Sequence, residues 1–138
     1  MLTYILRIIG RLLGIIVCLA LGPATTLVSG DATLAGDWRR ASHERTGIAP
    51  APTFVREALV QVYGARAFRW RGAFGIHTWI ATKAADAPTY TIYQVIGWRA
   101  YGGGNAVSVH RGYPDHEWYG AKPVLLGELR GAQAQAAI

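Results

Sequence analysis

The sequence predicts an α+β fold: a small antiparallel sheet of about four or five strands, with an N-terminal membrane helix and a C-terminal helix that is cut short. Three observations carry that reading. Leu12–Gly30 contains no charged side chain. From Phe54 onward apolar and polar residues alternate with a period of two, the pattern of half-buried strands. Arg130–Ile138 is rich in good helix formers but has neither the length nor the cap of a finished helix.

The N-terminal region is short and basic, with Arg7 and Arg11 and no acid. The uncharged run that follows just fits a bilayer, since about 20 residues rising ~1.5 Å each cross the hydrocarbon core. Gly22-Pro23 is expected to break the helical pattern, because Pro lacks an amide donor. Leu12–Leu21 also has the length of a signal-peptide core, with small residues at Ala24 and Ser29-Gly30 where a peptidase could cut. An uncleaved anchor is preferred to a cleaved signal. Arg39, Arg40 and Arg45 on the far side make the charge bias weak, so the basic N-terminus sets the orientation. The expected location is the bacterial inner membrane, N-terminus cytoplasmic and the following domain periplasmic.

Residues 31–53 read as a tether punctuated by Asp31, Gly36, Gly47, Pro50 and Pro52. Residues 54–138 read as a β-rich domain, incomplete at its C-terminus. Ala58–Tyr63 is β-branched and aromatic, a strand. Gly64–Gly72 is an Arg-rich connection. Phe74–Lys83 is a strand with Ile76, Thr78 and Ile80 on one face and His77, Trp79 and Ala81 on the other. After a turn at Ala84–Pro88, Thr89–Trp98 is its antiparallel partner, with Tyr90, Ile92, Gln94 and Ile96 on one face. Gly102-Gly103-Gly104 is a loop, Ala106–His110 a short strand, Arg111–Pro123 irregular and Val124–Leu129 strand-like.

Composition limits the function classes. The domain has about 85 residues, so its core is thin, and the five Trp and seven Tyr of the chain supply much of the apolar area. The net charge of +6 comes almost wholly from Arg. It suits membrane lipid or anionic envelope polymers as partners; an exported domain rarely meets nucleic acid, which is discounted. Cys18 is the only cysteine, so no intrachain disulfide forms. It is preceded by Val17 rather than by a small residue, which sets aside lipid attachment.

Few residues carry a chemical signature. His77, mid-strand, is the candidate catalytic base; a half-buried histidine with a satisfied hydrogen bond is the competing reading. Arg66, Arg69, Trp70 and Arg71 form a candidate binding loop for phosphate or a membrane face. His110, Asp115, His116 and Glu117 match no zinc spacing, and no metal site is expected. Gly102-Gly103-Gly104-Asn105 lacks the Lys and Ser/Thr of a P-loop, and no cofactor is expected.

Val60-Gln61-Val62-Tyr63, Arg71-Gly72-Ala73-Phe74, Ile76-His77-Thr78-Trp79-Ile80 and Val95-Ile96-Gly97-Trp98, with Gly47-Ile48-Ala49-Pro50 before them, form an ordered set. Together they resemble the bacterial domain of unknown function 3750 family, from about Trp38 onward. The resemblance implies a membrane-anchored protein that continues past Ile138 into a helix and an Asn-Ser-Asn-Thr-Phe-like stretch. A strand His followed by a nucleophile at a helix start is similar to the circularly permuted papain-like arrangement. It implies His77 as base and a nucleophile, Ser rather than Cys, beyond these residues. The resulting expectation is an envelope-anchored domain that is non-catalytic as given, with a permuted papain-like hydrolase or acyltransferase as the alternative.

Overall fold

The computed structural model describes residues 1–32 and 34–138. Thr33, inside the segment read as a tether, lies outside the described residues. Helix α1 (Leu2–Val28) leads into a five-stranded sheet of β1 (Leu59–Arg66), β2 (Ile76–Lys83), β3 (Tyr90–Val95), β4 (Val107–Gly112) and β5 (Val124–Arg130). A 3₁₀ turn, Arg69–Ala73, joins β1 to β2. The short helix α2 (Trp98–Tyr101) follows β3, and α3 (Gly131–Ala137) follows β5. The described fold is therefore the α+β class that the sequence predicts.

Helix α1 is 27 residues long, about 40 Å at ~1.5 Å per residue. Within Thr3–Val28 an 18-residue window has a mean hydropathy of 2.2 and no buried residue, and only Thr26 near the helix end is buried. By length and composition the helix fits a membrane span or a signal sequence. The break expected at Gly22-Pro23 does not occur, and the helix runs through Pro23. Proline removes one hydrogen bond, to the carbonyl four residues earlier. The hydroxyls of Thr25 and Thr26 both donate to the Gly22 carbonyl, at 2.8 and 2.9 Å, and reinforce the turn that follows.

The strand order is β4-β3-β2-β1-β5, and every pairing is antiparallel. β2 and β3 form the hairpin that their alternation predicts, with Trp79 opposite Gln94 and Ala81 opposite Ile92. β5 returns across the whole domain to pair with β1, from Leu59↔Arg130 to Gly64↔Val124, with a register shift between Val62 and Tyr63. One sheet face carries Leu59, Gln61, Tyr63 and Ala65 of β1 beside His77, Trp79, Ala81 and Lys83 of β2 and Tyr90, Ile92 and Gln94 of β3. This face is the core. Tyr63 and Trp79 stack there, ring centroids 5.9 Å apart. Ala49, Val55, Trp118 and Ala121 pack on it from irregular segments.

The core face is more polar than a hydropathy reading would select. Gln61 and Lys83 are each 1% exposed. The Tyr63 hydroxyl donates to Gln61 Oε1 at 3.0 Å, and Gln61 Nε2 donates to Glu128 of β5 at 2.5 Å. Lys83 Nζ donates to the carbonyls of Glu57 and Ala84 at 2.8 and 3.2 Å. The Tyr90 hydroxyl donates to Pro50 O at 2.9 Å, and burial pushes its pKa up to about 12. The opposite face is open and largely apolar: Ile76, Ile80, Tyr93, Val95, Val107, Val109 and Leu126 are all exposed, with Thr78, Thr82 and Thr91 among them on the same face. Antiparallel sheets normally turn polar residues to water on such a face.

Candidate functional site

Two places in the domain concentrate chemistry. The first surrounds His77, held mid-strand on the core face and half-buried. Its ring lies flat on Trp118, centroids 3.6 Å apart and planes 14° from parallel. Trp79 is 5.7 Å away on the same strand. Nε2 lies 3.1 Å from Gln94 Oε1. Gln94 sits opposite Trp79 in the ladder, one diagonal step from His77. An amide oxygen only accepts, so Nε2 carries the proton and Nδ1 of the neutral ring keeps its lone pair. Burial lowers the His77 pKa below the ordinary histidine value, and the Gln94 bond opposes this in part. Among the described residues no hydroxyl or thiol hydrogen-bonds His77 Nδ1.

Trp118 is placed by a loop clamped to the chain that precedes the sheet. Asp115, fully buried, accepts from Arg45 Nε at 3.0 Å and from the Ala49 amide at 3.2 Å. Its carbonyl accepts from the amide and hydroxyl of Thr46, both at 3.0 Å. Burial alone would raise the Asp115 pKa, but the hydrogen bonds from Arg45 and Ala49 hold it below the ordinary carboxylate value. Arg45 also lies over the ring of Tyr113 at 3.2 Å. Further along, Glu117 N donates to Glu44 O at 2.9 Å and Gly120 N to Ser42 O at 2.8 Å. The second half of the segment read as a tether is thus joined to the domain. His116 Nδ1 engages His43 O at 2.7 Å, so Asp115, His116 and Glu117 serve the clamp, while His110 lies apart on β4 opposite Ile92. Among the described residues no three His, Cys, Asp or Glu side chains converge as metal ligands do.

The second place is the arginine loop at the foot of α1. The structure divides the four residues singled out there. Arg66, at the end of β1, and Arg69, which opens the 3₁₀ turn at φ 58°, line an open cavity of about 480 Å³. Arg40, Asp31, Asp37 and Tyr119 also line it. Trp70 and Arg71 stay outside as an exposed pair, with the guanidinium 5.2 Å from the indole centroid and Phe74 edge-on to Trp70. Arg66 donates to Gly72 O and Arg69 to Leu34 O, both at 3.4 Å. Gly72 is required here, since a Cβ would lie 2.4 Å from Ala67 O. Sequence reasoning missed Arg40 and Tyr119, which reach this place only through tertiary folding. It placed Gln94 on a face with Tyr90 and Ile92 but did not link it to His77; the cross-strand register was the available signal.

The fold and these sites define a small antiparallel α+β domain behind an N-terminal apolar helix. A family model described as Protein of unknown function (DUF3750) matches residues 57–138. That is more than half of the chain, and the chain belongs to this family. No curated protein and no solved structure matches it.

Proposed function

We propose that this protein is an envelope-anchored domain of the bacterial inner membrane that binds rather than reacts. In this reading the N-terminus is cytoplasmic and the sheet domain periplasmic. The observation that carries it is α1: from Thr3 to Leu21 its apolar side chains stand open to solvent, only its end around Thr26 is covered by the protein, and a bilayer would cover the rest. The cavity lined by Arg40, Arg66 and Arg69 begins at Gly30 and Asp31, directly after that helix. It therefore faces the headgroup layer, where anionic lipid and anionic envelope polymers are found. Binding also suits His77, whose ring is covered by Trp118 and bonded by Gln94. The test is fractionation of cells expressing the full chain. Recovery in the membrane after high-salt and alkaline washes, with the domain open to protease only from the periplasmic side, is the expected result. A soluble cytoplasmic product of full mass overturns it.

One observation favours a second reading. Nε2–H of His77 donating to Gln94 Oε1 leaves Nδ1 as a positioned base, the relationship a base and its orienting group require. Burial keeps that ring neutral near pH 7, the state in which it accepts a proton. The permuted papain-like alternative then takes its nucleophile from residues beyond Ile138. Hydrolysis of generic ester and amide probes, lost in His77→Gln with an unchanged melt and measured on the product of the complete reading frame, supports it. Equal rates in both proteins remove it.

A further inference from the structure

The arginine-lined cavity continues into a second one of about 680 Å³. The two share Gly30, Asp31, Arg66, Gly120 and Ala121. The second is lined by Ile76, Val124 and Leu126 of the open sheet face, with Lys122 at its rim. We propose that the two cavities together form one site for an anionic phospholipid, the phosphate against Arg40, Arg66 and Arg69 and an acyl chain along Ile76, Val124 and Leu126.

Charge favours this occupant. Arg40, Arg66, Arg69 and Lys122 are four cations, against two carboxylates in the lining, Asp31 and Asp37. Among the described residues none of these four cations is ion-paired, while Arg45, Arg56 and Arg130 are. Asp31 accepts from Ser29 at 2.7 Å and Asp37 from the Arg39 amide at 3.0 Å; both keep their charge, and the four cations still outnumber them two to one. Guanidinium groups that keep free donors match a phosphate. The apolar half is equally specific. Gly64 lacks a Cβ, and one there would lie 2.8 Å from Leu126 Cδ1 and 3.2 Å from Ile76 Cδ1. These two side chains therefore close over Gly64 and give a greasy floor that runs toward exposed Ile80. A polar head and an apolar track joined at Arg66, both beginning where α1 ends, fit an amphiphile lying in the leaflet. A free anion would leave the apolar half empty.

This inference rests on the membrane-attached reading, and the experiment separates the two. The full chain is reconstituted into phosphatidylcholine nanodiscs that carry a trace of acyl-chain spin-labelled phosphatidylglycerol or, in parallel, spin-labelled phosphatidylcholine. Failure to enter nanodiscs at all overturns attachment. Given insertion, the immobilised fraction of the glycerol lipid should exceed that of the choline lipid several-fold. Arg66→Gln with Arg69→Gln should bring the two to parity. Arg40→Gln alone, on an exposed turn, should at least halve the preference, and covers the case in which the double variant unfolds. Leu126→Ser should lower immobilisation of the glycerol lipid while circular dichroism shows an intact sheet. Equal fractions in the unmutated chain overturn the proposal. So does a preference untouched by the arginine changes. Millimolar inorganic phosphate that abolishes the preference in the Leu126→Ser variant and the unmutated chain alike indicates an anion site alone and also overturns it.

Discussion

His77 and Trp118 lie face to face, ring centroids 3.6 Å apart and planes 14° from parallel, so the imidazole is covered by a loop residue 41 positions away in the chain. That cover accounts for part of the burial that lowers the His77 pKa. Trp118→Ala is expected to expose the ring and move its titration back toward the ordinary value near ~6.5. Histidine Cε1–H chemical shifts followed against pH check this; an unchanged midpoint would show that the strand neighbours alone set it.

The same shift carries a stability consequence. The folded pKa lies below the unfolded one, so the unfolded chain takes up the proton first as pH falls. Stability from this group is complete above the unfolded value near ~6.5 and is lost as pH drops below it, until the folded ring also protonates. In denaturant titrations between pH 8 and pH 5, the unmutated protein should lose stability as pH falls. His77→Gln should flatten that step.

Asp115 acts in a separate window. Its folded pKa is held below the ordinary carboxylate value by Arg45 and the Ala49 amide. Its contribution is present above the unfolded value near ~3.9 and is lost as pH falls through the folded one. Asp115→Asn should cost about 1–3 kcal/mol at pH 7, because a buried charge-assisted bond is lost. The variant should also lose less than the unmutated protein on going from pH 5 to pH 3. Urea midpoints at the three pH values decide it.

The buried chain Tyr63–Gln61–Glu128 spans β1 and β5. Gln61→Leu leaves the Tyr63 hydroxyl without its acceptor, while Glu128 loses one donor and keeps Arg130, a loss of about 1–3 kcal/mol. Adding Tyr63→Phe should return part of that loss, since it removes the orphaned hydroxyl. A double-mutant cycle that is strictly additive would refute the coupling.

Replacing Ile15 and Ile16 by Arg places two charges in the middle of α1, each costing roughly 2.5–3.5 kcal/mol on insertion scales. The variant should fail to reach the membrane and accumulate in the cytoplasm or be degraded. Immunoblotting of cell fractions reads this, and unchanged membrane recovery would contradict it.

The sequence made some of this legible and not the rest, for physical reasons. Alternation of Ile76, Thr78 and Ile80 against His77, Trp79 and Ala81 identifies two faces of β2, and the structure keeps that division. Alternation does not say which face is covered. The covered one holds Gln61, Lys83 and Tyr63, while Ile76 and Ile80 stay open. The cover itself is irregular chain, with Ala49, Val55 and Trp118 packed on the core. It is held by backbone bonds such as Glu117 N to Glu44 O, which leave no periodic signature. The arginine loop was visible as composition, but its division into cavity-lining Arg66 and Arg69 and outward Trp70 and Arg71 depends on the 3₁₀ turn.

The strand order has a consequence in time. β2, β3 and β4 follow one another as a meander and can zip locally as the chain leaves the ribosome. β1 emerges before all of them, yet one of its edges is filled only by β5, whose Arg130 pairs with Leu59. Throughout synthesis of the intervening segment that edge is an unsatisfied row of amides and carbonyls, able to recruit a strand from another chain. Closing it late requires a long-range search, the slow event in sheet proteins. A helix already lodged in a bilayer would confine that search to a thin layer and space neighbouring nascent chains apart. Attachment at the N-terminus, made first, would then protect the strand that is completed last.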